Sequence, residues 1–510
     1  MLRILYLLCF IEGASVMAAE LIGAKMLAPH FGSSLPVWAA VMAITLGGLA
    51  LGYFAGGMVP PRFRTFKGVL AVLLIAAVFM AFMPLLSKAA IGLFGYFSLY
   101  VSIVICTLTF LFPPVFLMGM VSPLLVSVLA GEGKEAGKTA GTVYALSTTG
   151  GIISTLLTGF YLIPEFGLSH PCTGFALTLG ILPAFILGKS FLFPTLLLAG
   201  ISSYTVYREF NPPVIPSYPV PYLSEGLLGQ VLVVDHPGAD SAGNITGYFR
   251  TLYVNRITQA QWNPETDSAG NYSYIDQIMG ILHNEGNGKS ALVLGLGGGG
   301  LANALHAAGF AVRVTELDKR IEFVARKYFD LNPEIQVDVD DARRSWKMND
   351  RKFDVIVLDL FKGEEIPGHC FTREAFSELK EKLNPGGLIF INTTGYWAGN
   401  KGAGSRALAK TLLHSGFQVE VLPTHEIEDW RNLVFAAALP GSPLMEKVIA
   451  AWEGKTLDSG PESLGDVPVL TDDKPVLEKL NMESFLAWRA LSIRFFGIEN
   501  KKGRFYPLYR

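Results

Sequence analysis

Apolar residues dominate the first 207 positions, in runs close to the 20 or so residues that a helix needs to cross a bilayer. Seven such runs stand at 4–28, 36–59, 67–88, 97–129, 138–163, 172–188 and 190–207. The first has no A-x-A-like cleavage site leading into a soluble segment, and more spans follow at once, so it reads as a retained helix. The fourth is too long for one straight span and contains Pro113 and Pro114, so it reads as one kinked helix or two short ones. The pattern then changes. Residues 208–222, REFNPPVIPSYPVPY, hold five prolines and read as an extended spacer. Short β-like runs follow at Gln230–Asp235, Thr246–Tyr253 and Arg256–Trp262, which predict a small antiparallel sheet.

From Ser290 onward, strands and helices alternate. Strands are predicted at Ala291–Leu294, Ala311–Thr315, Ile335–Val339, Phe353–Leu358 and Leu388–Asn392. Helices are predicted at Leu301–Ala308, Arg320–Phe329 and Thr372–Lys382, with a turn at Asn384–Gly387. This is the pattern of a doubly wound parallel sheet, whose ligand site lies at the carboxyl ends of the strands. The expected architecture is a multi-span α-helical membrane domain joined to a soluble α/β Rossmann-like domain, the latter preceded by a small antiparallel β-sheet. The boundaries are 1–207 for about seven to eight spans and 208–222 for the proline-rich linker. The β-rich part takes 223–288, the Rossmann-like part 289–440, and a helical, basic extension 441–510.

Composition sharpens this division. Over 510 residues, 51% are apolar and 16% charged, with a net charge of −2. Residues 1–207 carry nine Lys/Arg, five Glu and no Asp, so nearly all the charge lies in the second part. The balance gives no support to nucleic-acid binding. Cys9, Cys106, Cys172 and Cys370 are far apart, with no zinc spacing and no disulfide framework, and no metal ligands are expected. Gly47, Gly48, Gly52, Gly56, Gly57, Gly150 and Gly151 suit close helix packing. Glu12 and Glu20 lie eight residues apart on one face of an apolar helix, with Lys25 as a candidate partner. Arg3, the Arg62–Lys67 cluster, Lys134 and Lys138 mark cytoplasmic ends. Seven spans put the soluble part on the opposite face, whereas eight, or six with a re-entrant segment, put it in the cytoplasm.

The chemistry is concentrated after the first Rossmann strand. Gly295-Leu296-Gly297-Gly298-Gly299-Gly300 lets the backbone approach a ligand but lacks the lysine of a P-loop. Glu316 ends the second strand about 20 residues later, where a carboxylate meets ribose hydroxyls. Asp340 or Asp341 ends the third. A ribose acid, then an adenine-edge acid, without a pyrophosphate site, favours S-adenosylmethionine over NAD.

The order of these motifs resembles the polyamine aminopropyltransferase (spermidine synthase) family over about residues 222–440, and the apolar half resembles its multi-pass membrane-bound members. The carrying segments are LVLGLGGGG (292–300), TELD (315–318), DVDDAR (338–343), FDVIVLDLF (353–361), FTREAF (371–376) and LNPGGLIFIN (383–392). The resemblance implies transfer of an aminopropyl group from decarboxylated S-adenosylmethionine, a co-substrate rather than a prosthetic group, to putrescine or a related amine. The products would be spermidine and 5′-methylthioadenosine. It implies Asp359 as the catalytic Asp, which helps to deprotonate the attacking nitrogen. It implies Gln230, Gly295, Gly297, Glu316, Asp340 and Asp341 at the nucleoside, and Gln259, Tyr274 and Asp276 at the acceptor. Membrane lipid and a small amine are the expected partners, homo-oligomerisation stays open, and a cytosolic donor favours a cytoplasmic soluble domain. The pattern also departs from the family. Gly298 replaces an Asp, Lys362 replaces the second acid of the acceptor loop, Ile275 replaces a His, and no tyrosine matches around Glu426–Trp430. Glu364, Glu365 and His369 lie near the altered loop. A methyltransferase with a different acceptor, and a transporter or sensor with a non-catalytic nucleoside domain, are the alternatives.

Overall fold

A computed structural model describes residues 2–31, 35–95, 97, 99–130, 136–210, 219–226, 228–239, 245–263, 268–269, 273–361, 366–474 and 476–495. These divide into two compact units, one of 2–210 with residues of 224–230, the other of 219–223 with 231–495.

In the first unit, six segments are long and apolar enough to cross a membrane: Arg3–Ala28, Pro36–Met58, Phe66–Phe94, Phe112–Leu129, Gly137–Phe166 and Ser169–Thr205. Helix Leu99–Phe110 runs into Phe112–Ala130 through a bend. Leu111 N–H donates to Thr107 O (2.9 Å) and Val115 N–H to Leu111 O (3.3 Å), which carries the ladder past Pro113 and Pro114, neither of which has an N–H to give. The kinked helix is therefore the form adopted. The stretch Ser169–Thr205 breaks at Gly188, where φ is +55°. Helices Ser169–Leu187 and Leu192–Phe210 fold back on each other, with the Thr173 and Thr205 hydroxyls 3.3 Å apart.

Close packing explains the glycines selectively. A Cβ on Gly52 would lie 2.3 Å from Phe116 O, and one on Gly150 would lie 2.1 Å from Phe10 O, so these backbones nearly touch. Gly47 and Gly57 have nothing within 4 Å. Glu12 is buried and accepts from Ser147 Oγ at 3.0 Å, while the Lys25 ammonium lies 5.4 Å from the centre of the Trp38 ring.

Next along the chain comes a five-stranded sheet ordered β1 (Tyr222–Ser224), β2 (Val231–Ala239), β3 (Ile245–Val254), β4 (Ile257–Asn263) and β5 (Ser268–Ala269). β2 to β5 pair antiparallel. Asn255 and Arg256 both have positive φ (48° and 69°), the demand of a tight two-residue hairpin turn, so β4 starts at Ile257 rather than at Arg256.

Seven further strands form the second sheet: β6 (Ser290–Leu294), β7 (Ala311–Glu316), β8 (Gln336–Val339), β9 (Phe353–Leu358), β10 (Leu383–Thr394), β11 (Gln418–Pro423) and β12 (Asn432–Ala438). Their spatial order is β11-β12-β10-β9-β6-β7-β8. β8, β7, β6, β9 and β10 run parallel, and β12 pairs antiparallel with both β10 and β11. Alternation along the strands makes two cores. Val293, Val355, Val357, Leu388 and Phe390 fill one face, and Leu292, Leu294, Ile356, Leu358, Ile389 and Ile391 fill the other. Both faces are buried, as continuous apolar runs such as SALVL and FDVIVL require. The Asn384–Gly387 turn is absorbed into β10, whose pairing with β9 shifts register between Leu383 and Leu388. Among the described residues the extension folds as helices, of which Met482–Phe495 comes last. The basic residues Lys501, Lys502 and Arg504 lie outside the described residues.

Candidate active site

β6 is the point at which the sheet order reverses, with β7 on one side and β9 on the other. Such a switch opens a crevice beyond the carboxyl ends of the two central strands. Gly295 leaves β6 with φ 94°, and a Cβ there would lie 2.1 Å from Asp359 O at the end of β9, so only glycine fits between the two strand ends. Gly297 (φ 53°) and Gly299 (φ 85°) carry the loop to helix Gly300–Ala307.

Asp359 is held at this crevice from both sides. Tyr274 Oη, on helix Ser273–Leu282, donates to Asp359 Oδ2 at 2.8 Å. Asn392 Nδ2, on β10, donates to Oδ1 at 2.9 Å, and Asn392 Oδ1 accepts from Asn432 Nδ2 at 2.8 Å. Burial lifts the Asp359 carboxyl above the ordinary carboxylate range, while the bonds from Asn392 and Tyr274 pull it back down. The outcome is a positioned carboxylate with raised basicity, as a proton acceptor needs.

Glu316 ends β7. Its Oε2 accepts from Leu296 N–H (3.0 Å) and its Oε1 from Asp318 N–H (2.9 Å). Burial pushes its carboxyl up to about 7, against these two amide bonds. Each oxygen keeps a lone pair that can accept from a hydroxyl.

Two adjoining cavities open here. One, of about 260 Å³, is lined by Glu316, Asp359, Asp429, Gln259, Tyr274 and Gly297 among others. The other, of about 390 Å³, shares Gln259, Tyr274, Gly297 and Asp359 and adds Asp276, Gly295 and Gly298. No Lys, Arg or His stands among the described residues lining either cavity. Four carboxylates face these two small cavities, with no basic side chain among the described lining residues, an arrangement whose charge suits cationic ligands.

Residues 272–416 match the family model of the spermine/spermidine synthase domain. This chain carries a spermidine-synthase-like domain. It is 31% identical over 171 residues to a probable polyamine aminopropyl transferase of Bifidobacterium longum, covering 33% of this chain and 38% of that protein. It is 31% identical over 146 residues to a polyamine aminopropyltransferase of Vibrio vulnificus, covering 27% and 48%. It is also 34% identical over 169 residues to an N-terminal histidine N-methyltransferase of Emericella nidulans, covering 31% and 29%. The chain thus spans less than half the length of each of these three relatives.

Within the spermidine-synthase-like domain, Gly295, Gly297, Glu316, Asp359, Gln259, Tyr274 and Asp276 come together at the two cavities. Asp340 and Asp341 do not line them. They follow β8 on the same sheet edge, where Asp340 N–H donates to Glu316 O at 3.0 Å. Asp340 is paired with Arg344, and Asp341 accepts from Arg344 N–H (3.0 Å) and from His369 Nε2 (2.9 Å). His369 is thereby committed to Asp341. Gln230 falls in the first unit, its Nε2 3.4 Å from Glu225 Oε1. Lys362, Glu364 and Glu365 lie outside the described residues. Gly298 has a packing cause, since a Cβ there would lie 2.7 Å from Ala260 Cβ and 3.0 Å from Phe329 Cδ1.

Several lining residues are not singled out as site residues by the sequence pattern. Asn392, Thr394 and Asn432 sit in strands that read as core, and Trp488 and Leu491 come from helix Met482–Phe495 of the extension. Asp429 and Trp430 occupy the stretch in which no family tyrosine was found. An Asn embedded in an otherwise apolar strand is the one cue that reading along the chain supplies.

Proposed function

We propose that this protein transfers the aminopropyl group of decarboxylated S-adenosylmethionine to a small amine. The observation that carries the reading is Asp359, fixed by Tyr274 and Asn392 at the β6/β9 switch point, in cavities lined by carboxylates with no basic side chain among the described lining residues. Glu316 accepts hydroxyls of the nucleoside ribose, the Gly295–Gly297 backbone lies beside it, and Asp340 and Asp341 serve the adenine edge. Gln259, Tyr274 and Asp276 line the acceptor side. In the transfer, the amine nitrogen lone pair forms a bond to the aminopropyl carbon as the carbon–sulfur bond breaks. The bonding electron pair returns to sulfur, which becomes a neutral thioether, and the proton lost by nitrogen goes to Asp359. An amine near pKa 10 arrives protonated at neutral pH, so an acid cavity first binds the ammonium and then receives its proton. The reading requires the soluble unit to face the cytosol, where the donor is made.

The test uses the full chain in detergent, incubated with decarboxylated S-adenosylmethionine and putrescine, and separately with S-adenosylmethionine. Methylthioadenosine from the first mixture is the expected product. A second reading, methyl transfer, is favoured by the closed position at Gly298 and would yield S-adenosylhomocysteine from the second mixture. Nucleoside binding without either product would sink both and leave a binding module on a membrane anchor.

A further inference from the structure

Asp341 is held at both of its oxygens. Oδ1 accepts from Arg344 N–H (3.0 Å) and Oδ2 from His369 Nε2 (2.9 Å), and each oxygen keeps a further lone pair. His369 lies in the turn Gly368–Cys370, just before helix Arg373–Glu381. β8, which leads to Asp341, is the edge strand of its sheet, so no neighbouring strand steadies its outer side. That support comes from Arg343, two residues beyond Asp341.

The buried Arg343 guanidinium uses all five of its N–H groups. Nη1 donates to His369 O (2.9 Å) and Asp472 Oδ1 (2.7 Å), and Nη2 to Asp472 Oδ2 (2.8 Å) and Glu378 Oε1 (2.7 Å). Nε donates to Glu378 Oε2 (3.0 Å). Asp472 stands 129 residues away, in the extension, and is itself seated on the start of helix Arg373–Glu381. Its Oδ1 accepts from Thr372 Oγ1 (2.6 Å), its N–H donates to Glu374 Oε2 (3.0 Å), and Arg373 N–H donates to Leu470 O (2.9 Å). The bond from Arg343 holds the Asp472 carboxyl down to about 2, so the pair stays ionised at neutral pH. A planar fork gripped by two carboxylates has one orientation. The remaining bond then fixes the His369 carbonyl, and with it the ring that meets Asp341.

We propose that Arg343 and Asp472 are positioning residues for nucleobase recognition: Asp472 of the extension orients Arg343, which holds the His369 turn and so aims the Asp341 carboxylate at the exocyclic amino group of adenine. The inference rests on the reading above, which puts the adenine edge at Asp340 and Asp341. It makes the extension a determinant of base preference although Asp472 touches no base. Glu316 needs no such clamp, because two backbone amides beside its own strand hold it.

Calorimetric titration of the full chain in detergent tests this with 5′-methylthioadenosine and 5′-methylthioinosine, whose bases carry an amino group and a carbonyl at the same position. Wild type is expected to bind the adenine nucleoside at least about tenfold more tightly, the margin of one hydrogen bond to a charged acceptor. Asp341→Ala is expected to remove that preference. Arg343→Lys, which puts a point charge in place of the fork, is expected to remove most of it with methylthioinosine affinity unchanged. Asp472→Asn keeps an oxygen for Thr372 and is expected to lower the preference in the same way, with Asp472→Glu retaining more of it. A preference that survives Asp341→Ala, or survives both Arg343→Lys and Asp472→Asn, would overturn the proposal. So would equal affinities in wild type, or an equal loss for both nucleosides, the mark of a merely structural role. Should Arg343→Lys bind neither nucleoside and so prove misfolded, the two Asp472 variants decide. A preference governed by Asp472 without methylthioadenosine production in the transfer assay would end the transfer reading and leave this positioning role standing. Production with a preference indifferent to Asp472 would do the reverse.

Discussion

Tyr274 Oη and Asp359 Oδ2 are 2.8 Å apart, a bond that joins residues 85 positions apart and fixes one carboxylate oxygen at the crevice. The Tyr274 hydroxyl steadies the ionised form of Asp359, while burial opposes it. Removing the hydroxyl therefore raises the Asp359 pKa further. Tyr274→Phe is expected to move the acid limb of the kcat profile to higher pH and to lower kcat below it, with the plateau at alkaline pH less affected. A profile identical to wild type would show that Tyr274 does not tune the base. Asp359→Asn is expected to cost at least about 100-fold in kcat, the low end for a general base, while nucleoside affinity holds.

Restoring the family's acid in the glycine loop should fail. A side chain at Gly298 runs into Ala260 and Phe329, which line the neighbouring cavity. Gly298→Asp is expected to destabilise the soluble unit by about 1–3 kcal/mol, as overpacking does, and to add no activity. Adding Ala260→Gly should recover part of the loss, since the nearest clash is with Ala260 Cβ. Thermal denaturation of both variants checks this, and full stability of Gly298→Asp alone would refute it.

These two cases also mark what was legible along the chain. Asp359 and Glu316 announce themselves because an apolar run ends in a single acid, and the end of a buried parallel strand is where a ligand crevice opens. Gly295 is legible for the same reason, at the turn out of β6. Asn392 and Asn432 are less so, because Asn392 follows the apolar run of β10 and Asn432 opens that of β12, and their value comes from meeting across the β10/β12 pair. Asp429 depends on Tyr396, 33 residues away, and Trp488 on how the extension folds back. Such convergence is tertiary and leaves no periodicity. In the membrane unit, Gly52 and Gly47 look alike as letters, and only helix packing separates the one that touches a backbone from the one that faces none.

Glu316 predicts a pH-dependent stability of definite sign. Its folded pKa is about 7, above the ordinary 4.5, so between these values the folded state holds a proton that the unfolded state has released. Its contribution is fully present below about pH 4 and is lost as pH rises through 7, by up to about 3 kcal/mol. Glu316→Gln, which cannot ionise, is expected to flatten this slope and to be relatively more stable at pH 8. Melting curves of the soluble unit's transition between pH 5 and 8 would show it, and parallel curves for the two proteins would exclude it. The same variant should weaken nucleoside binding, because an amide offers the ribose one acceptor oxygen in place of two.

The hairpin at Ser169–Phe210 decides parity. Its two helices return the chain to the face from which it entered, and each has 19 residues, close to a bilayer's requirement. Helices Leu99–Phe110 and Phe112–Ala130 run on through Leu111, which bonds back to Thr107 and accepts from Val115, and so are counted as one crossing. With the helices starting at Leu2, Leu35, Phe66 and Ala136, this gives an odd number of crossings, seven among the described residues. The amino terminus and the soluble unit are therefore expected on opposite faces of the membrane. Reporters that fluoresce only in the cytoplasm, fused separately to each terminus, should give opposite readings, and equal readings would refute the count. The result also bears on the chemistry. Arg3, Arg62, Arg64, Lys67, Lys138 and Lys189 all fall on the amino-terminal face in this count, which by the basic-loop rule is the cytoplasmic one. A cytosolic donor demands the reverse, a cytoplasmic carboxyl terminus. A soluble unit found on the far face would remove cytosolic nucleosides as donors, whereas one found inside would show that the demand for substrate, and not the bias of the loops, matches the orientation of this chain.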